Sequence, residues 1–299
     1  MSARRRRRAR RAGFAVAAAS AVLVAGVAAV VITLTTTHPG PPRAERCVAQ
    51  LDGTGWALSP DQAQNAALIA ATGVQRGLPA RAVTIALATA LQESKLVNVT
   101  HGDRDSLGLF QQRPSQGWGT PEQVQDPVYA TGRFYDGLVT VDGYENLPVT
   151  EAAQAVQRSG FPDAYAQHET RSRAWASALT GWSPAAVTCD LHDPDPAAAS
   201  ADAVVARLQR DLGPLPVVAD ATGALVVDTT ALGTDADRAR LDWAVAQWAV
   251  SVAQPLQLTS VAVADRTWDR TGGTWATGEP LAAGSVRLTV ASERASGPT

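Results

Sequence analysis

A chain of 299 residues is long enough for about two ordinary domains, each able to bury a core of its own. Its formal charge of −2 conceals an asymmetry: seven arginines (Arg4 to Arg8, Arg10 and Arg11) precede an uncharged stretch, and setting those seven aside leaves −9 for the rest. The body therefore lacks the basic footprint of a nucleic-acid binder, and two cysteines with four scattered histidines do not make a tetrahedral zinc set, so no nucleic-acid partner, metal or other cofactor is expected.

Residues 1–11 form the arginine-rich tail. Residues 12–37 continue without a single charge and meet the roughly 20 apolar residues that a bilayer-spanning helix needs. Seven arginines before this segment, against Arg43 and Arg46 after it, predict a cytoplasmic N-terminus and an extracytoplasmic location for everything beyond position 40. A cleaved signal peptide is the competing reading, but its apolar core is normally only about 7–15 residues. One uncharged span offers no transport pathway. Residues 38–46, with Pro39, Gly40, Pro41 and Pro42, read as a semi-rigid spacer that tethers the rest of the chain to the membrane.

Residues 47–189 read as a mainly helical domain bounded by the only two cysteines. Outside the cytoplasm Cys47 and Cys189 are expected to pair, which in the chain-entropy picture stabilises the fold by about 5 kcal/mol; two buried thiols are the alternative. Ser59-Pro60-Asp61-Gln62 is a capping box that opens a helix ending near Gly77. Pro79 opens the next, with Val83, Leu87, Ala90 and Leu91 recurring on one face and Glu93 at the far end. Residues 97–113, with Gly102, Gly108 and short apolar alternation, predict a small hairpin or irregular strand pair and not a helix. Thr120-Pro121-Glu122-Gln123 repeats the capping pattern, and Asp126-Pro127 starts a helix through Tyr129, Phe134 and Leu138. Thr150 is expected to cap Glu151 to Arg158, and Pro162 to Leu179 makes a last helix before Gly181.

Residues 190–199, rich in proline and alanine, read as a hinge. Residues 200–299 then predict a small α+β module: helices over Asp202 to Leu212 and Asp235 to Ala253, and strands over Ala224 to Asp228, Leu256 to Ala264 and Ser285 to Val290. Between the last two lies a Gly272-Gly273 hairpin carrying Trp268 and Trp275, each as readily a core aromatic as a sugar platform. Trp118 and Trp175 are expected in the core. Asn98-Val99-Thr100 fits the N-glycosylation pattern, a short match of little weight.

Glu93 carries the chemistry. A carboxyl at the negative end of a helix dipole, and partly buried, resists ionisation and can act as a general acid near neutral pH. A glutamate near a helix end is ordinarily a solvated surface residue; the surrounding motifs argue otherwise. At Leu91-Gln92-Glu93-Ser94, Gly108-Leu109-Phe110-Gln111 and Ala155-Val156-Gln157-Arg158-Ser159-Gly160 the chain resembles the lytic transglycosylase branch of the lysozyme-like superfamily, over about Ser59 to Trp182. In that family a Glu-Ser pair ends a buried helix, a Gly-Leu-Met-Gln strand lines the cleft and an Ala-Tyr-Asn-Ala-Gly motif supplies polar contacts. Here Phe110 stands in the methionine place and Val156 where the tyrosine belongs, while Tyr165 is similar in placement to a tyrosine near the catalytic acid.

The resemblance implies an α+β chain with a lysozyme-like domain at 47–189, Glu93 as catalytic acid and base, and Ser94, Gly108, Leu109, Phe110, Gln111, Gln157 and Tyr165 as substrate-binding residues. It implies cleavage of peptidoglycan glycan strands between N-acetylmuramic acid and N-acetylglucosamine, with Gly102 and Gly108 letting the backbone approach the sugar and Gln111 and Gln157 meeting acetamido groups. The product is an anhydro-sugar if the substrate's own 6-hydroxyl attacks; it is hydrolysed if water does, with Asp103 or Asp105 as second carboxylate. The C-terminal module is expected to hold the enzyme on the wall or on another wall protein. An inactive lysozyme-like wall-binding or scaffold protein is the alternative, motivated by Val156 and Phe110.

Overall fold

The computed structural model describes residues 44–160 and 163–292. The arginine tail, the predicted span, most of the spacer and the helix start expected at Pro162 lie outside them. Among the described residues no helix is long and apolar enough to cross a membrane.

The chain is α+β, with eight α-helices and two antiparallel sheets among the described residues. Both capping boxes form as expected. Ser59 Oγ accepts from the Gln62 amide at 3.3 Å and Gln62 Oε1 from the Ser59 amide at 2.9 Å, opening α1 (Pro60–Gln75). After the turn at Gly77, α2 (Ala80–Ser94) runs to the Glu93 end. Thr120 repeats the box ahead of the short α3 (Pro121–Gln125), and Asp126 Oδ1 accepts from the Val128 amide at 2.8 Å to start α4 (Pro127–Leu138).

Two helix starts differ from expectation. α5 (Val149–Gln157) begins behind Pro148, so Thr150 sits inside its first turn and not at its cap. α6 (Glu169–Leu179) follows a 3-10 turn over Ala166–His168 and starts later than Pro162. The hairpin expected over 97–113 reduces to one bridge between Leu107 and Gln112. Carbonyls of Leu109 and Phe110 are taken by side chains from elsewhere, so no ladder extends.

A three-stranded sheet of order β2-β1-β3 went unread in the sequence: β1 (Arg46–Leu51) lies between β2 (Thr54–Leu58) and β3 (Val187–Asp190). Register places Cys47 opposite Cys189, and the expected disulfide joins them. The second sheet has the order β4-β5-β9-β6-β7-β8, from β4 (Val217–Ala219), β5 (Leu225–Asp228), β6 (Leu258–Val263), β7 (Arg266–Asp269), β8 (Thr274–Thr277) and β9 (Ser285–Val290). Helix α7 (Ala201–Leu212), capped by Ser200, and helix α8 (Arg238–Ser251) complete this region.

The proline-rich stretch 190–199 joins regions that share one core. Every residue of α8 from Leu241 to Ser251 is buried, as befits a helix covered all round by other elements. Its Gln247 donates to the carbonyls of Ala178 (2.6 Å) and Ser183 (3.1 Å) and accepts from the amides of Ala186 (2.8 Å) and Val187 (2.9 Å). That satisfies all four of its hydrogen-bonding positions across the two regions. Asp211 of α7 accepts from Arg207 and Arg210 at 2.7 Å each and from Trp248 Nε1 at 3.0 Å, while Arg207 Nη1 reaches Gln64 Oε1 of α1 at 3.2 Å. The described residues from Glu45 on accordingly form one compact unit with a continuous hydrophobic cluster.

The regions approach each other tightly at Gly181 (φ +82°), where a Cβ would lie 1.8 Å from the Arg240 carbonyl oxygen. At Gly77 (φ +65°) a Cβ would meet nothing within 4 Å. Gly77→Ala should therefore lose only the left-handed backbone cost, about 1 kcal/mol, and Gly181→Ala about 2 to 4 kcal/mol through added overpacking. Urea denaturation of both variants checks this; equal losses would mean that α8 does not press on the end of α6.

Candidate active site

The site begins with how α2 stops. Lys95 and Leu96 both adopt left-handed backbone (φ 57° and 59°), and Leu96 is fully buried. For branched or long side chains this conformation costs about 1 kcal/mol per residue. The offset is visible: the Lys95 amide donates to the Leu91 carbonyl and the Leu96 amide to the Ala90 carbonyl, each at 3.0 Å, so the last turn of the helix closes on itself. From α1, Gln62 Nε2 and Asn65 Nδ2 donate to the carbonyls of Lys95 and Leu96, each at 2.8 Å. Glu93 sits in the last turn so fixed.

Its carboxyl is half-buried. Tyr165 donates its hydroxyl to Glu93 Oε1 at 2.7 Å, and a Gln157 side-chain hydrogen bond reaches the same carboxyl. Burial pushes the Glu93 carboxyl above the usual glutamate range, and the two hydrogen bonds oppose it without cancelling it. Burial, then the neighbouring Glu93 charge, hold the Tyr165 phenol well above its ordinary value, so it remains a donor. Ser94 Oγ donates to the Leu109 carbonyl at 2.7 Å, and Gln157 Nε2 to the Phe110 carbonyl at 2.8 Å. Glu93, Ser94, Gln157 and Tyr165 therefore meet, brought from α2, α5 and the segment before α6.

Other expected site residues are placed differently. Leu109 and Phe110 are fully buried, with Phe110 stacked on Phe134 at 4.7 Å, so they serve the site through backbone carbonyls while their side chains pack the core. Gly108 (φ +74°) is required because a Cβ would lie 2.4 Å from the Val124 carbonyl, a protein contact and not a sugar contact. Gln111 folds back over Gly102, whose added Cβ would fall 1.8 Å from Gln111 Oε1.

Asp105 is not a free second carboxylate. Hydrogen bonds from the Ser115 amide (2.7 Å), Arg113 Nε (2.9 Å) and Ser115 Oγ (3.0 Å) hold it far below the usual aspartate range and pin both its oxygens. Asp103 is exposed. Asn98 donates its amide to the Gln125 carbonyl at 2.9 Å, a tertiary brace. Trp268 is fully buried and so is no sugar platform, while half-buried Trp275 packs edge-on against Trp243 at 5.0 Å and donates its Nε1 to the Val187 carbonyl at 2.8 Å. Trp175 lies in the core as expected, whereas Trp118 is only half-buried.

Trp118 lines a cleft of about 630 Å³ beside the site, between α4 and α5, with Gln157 at its Glu93 side and Arg133, Asp136, Val156 and Arg158 around it. The sequence reading missed this cleft. Its signal was present in Arg133, Asp136, Gly137 and Thr140, a recurrence at helical spacing that faces away from the core. Also missed was Gln92, whose Oε1 accepts from Gln167 Nε2 at 3.2 Å and lies 3.1 Å from His168 Nε2. Among the described residues no group of His, Cys, Asp and Glu is arranged to hold a metal ion. No protein-family model and no curated protein matches the chain.

A raised carboxyl value has a sign in stability. Folded Glu93 binds its proton more tightly than unfolded Glu93, so its contribution is fully present below the unfolded value near 4.5 and is lost as pH rises through the folded value. The thermal midpoint of Glu93→Gln relative to wild type should therefore climb as pH is raised from below 4.5 towards neutrality. Melting curves across that range test it, and a flat or falling difference would contradict a desolvated carboxyl.

Proposed function

We propose that the protein is a membrane-anchored, extracytoplasmic peptidoglycan glycan-strand-cleaving enzyme, a lytic transglycosylase or muramidase with a lysozyme-like domain, in which Glu93 is general acid and then base. The observation that carries this reading is the half-buried Glu93 carboxyl, pushed above the usual glutamate range by burial and braced by Tyr165 at 2.7 Å beside an open cleft. Protonated Glu93 donates to the bridging oxygen as the glycosidic bond breaks. The carboxylate left behind takes the proton of the attacking hydroxyl, the sugar's own 6-hydroxyl in the transglycosylase route or water in the hydrolytic one. Because Tyr165 occupies Oε1, the proton that leaves is carried on the other carboxyl oxygen.

The anchor rests on residues 12–37 and on the arginine excess before them, which put the catalytic region outside the cytoplasmic membrane on the wall side. The C-terminal region is the surface offered to other cell-wall proteins. A second reading, a wall-binding or scaffold protein without turnover, draws on Gln111 and Gln157, whose amides are spent on the chain's own carbonyls.

Full-length protein in detergent, incubated with cell-wall sacculi, is expected to release muropeptides identifiable by mass spectrometry as anhydro or hydrolysed forms. Glu93→Gln should slow release by at least about a hundredfold. Binding to sacculi without any released product would instead favour the scaffold reading. Tyr165→Phe removes a hydrogen bond that favours the ionised carboxyl, so the alkaline limb of its pH–rate profile should move to higher pH. An unmoved limb would detach Tyr165 from the titrating group.

A further inference from the structure

The cleft beyond Gln157 carries charge that the catalytic reading leaves unused. Its lining holds three charged residues, Arg133, Asp136 and Arg158. Asp136 is claimed from outside the lining by Arg76, whose Nη2 lies 2.6 Å from Oδ1, while Arg133 Nη1 stands off at 3.6 Å from Oδ2. Arg158 caps α5 in left-handed backbone (φ 52°), is exposed, and makes no side-chain hydrogen bond or ion pair among the described residues. The groove is thus locally cationic in a chain whose body is acidic. Trp118 forms one wall, and Gly137 keeps the floor open: a Cβ there would lie 3.0 Å from Val156 Cγ1 and 4.0 Å from the Trp118 ring.

A guanidinium is a planar fork that matches a carboxylate in bidentate fashion, and an indole face suits the apolar face of a pyranose ring. Gln157 joins the two places: it lines the cleft, donates to the Phe110 carbonyl and touches Glu93. A sugar seated at Glu93 would have this groove beside it, across Gln157. We infer that the cleft is a recognition site for a carboxylate borne by the glycan substrate, with Arg158 and Arg133 as anchors and Trp118 as the sugar-facing wall. The inference rests on the glycan reading above and adds to it the side chains that read the acidic groups of the strand. The carboxylate is either the lactyl acid itself or a free carboxylate of an attached peptide.

The test reads binding, so that it is independent of turnover. Full-length Glu93→Gln protein in detergent is titrated calorimetrically at low salt with three soluble strands. One has free lactyl acids, one carries peptides with free carboxylates, and the third carries the same peptides fully amidated. At least one acidic strand should bind about tenfold more tightly than the amidated one, the value of one charge-assisted hydrogen bond, and the acidic strand that does so identifies the source. Adding Arg158→Met should abolish the preference, Arg158→Lys should keep part of it, and rising salt should weaken it. Equal affinity for acidic and amidated strands, no binding to any strand, or a preference that survives Arg158→Met overturns the inference. If the Glu93→Gln protein discriminates while wild type cuts nothing, cleavage falls and recognition stands; if wild type cuts and no discrimination appears, recognition falls alone.

Discussion

The site depends on one opposition, between the desolvation of the Glu93 carboxyl and the hydrogen bonds that stabilise its ionised form. Full burial with no partner would keep the acid neutral at all useful pH; full exposure would ionise it near its ordinary value. The observed carboxyl lies between, half-buried with Tyr165 and Gln157 as donors, and burial prevails. A group poised this way is able both to give a proton and to take one back, which is what successive acid and base steps need. The balance depends on where the helix end holds the carboxyl, and that end is fixed by hydrogen bonds from α1.

That stop is held from a distance. Gln62 and Asn65 on α1 satisfy the carbonyls beyond Glu93, and two residues along from Gln62, Gln64 accepts from Arg207 of α7. The same α1 therefore braces the Glu93 end of α2 on one side and receives the C-terminal region on another. With Gln247 of α8 spanning both regions and Arg240 pressed against Gly181, the C-terminal region acts as a buttress for the helices that carry the site. Catalytic groups that must hold their geometry closely are best carried on such rigid, mutually supported elements.

Much of this was legible in sequence where the signal was local. Ser59 to Gln62 and Thr120 to Gln123 are complete capping boxes, and the apolar face of α2 is a periodic pattern read without tertiary knowledge. The disulfide was expected from compartment and from there being only two cysteines. What escaped was set by partners far away in the chain. Strands β1 and β3 are 142 residues apart at their cysteines, and each is too short to announce itself alone. The segment 97–113 alternates like a hairpin, yet Ser94, Gln112, Asn98 and Gln157 take or supply its tertiary hydrogen bonds, and only one bridge remains. Leu109 and Phe110 were expected to bind substrate, but the sequence alone does not say that their side chains pack the core.

The fate of Asp105 bears on the chemistry. Two-carboxylate glycosidases place their acids about 5 to 9.5 Å apart, and the second group must be free to meet water or the anomeric carbon. Both oxygens of Asp105 already accept hydrogen bonds, three in all from Arg113 and Ser115, and withdrawing it would undo the turn that leads to Trp118. On the proposed reading, Glu93 then works alone among the groups brought together at the site. A lone carboxylate that has just given up its proton is well suited to deprotonate a hydroxyl already attached to the substrate, because that nucleophile needs no second group to hold it in place. On that reading, attack by the sugar's own 6-hydroxyl is the route that asks least of the protein, since Asp105 is tied into its own turn.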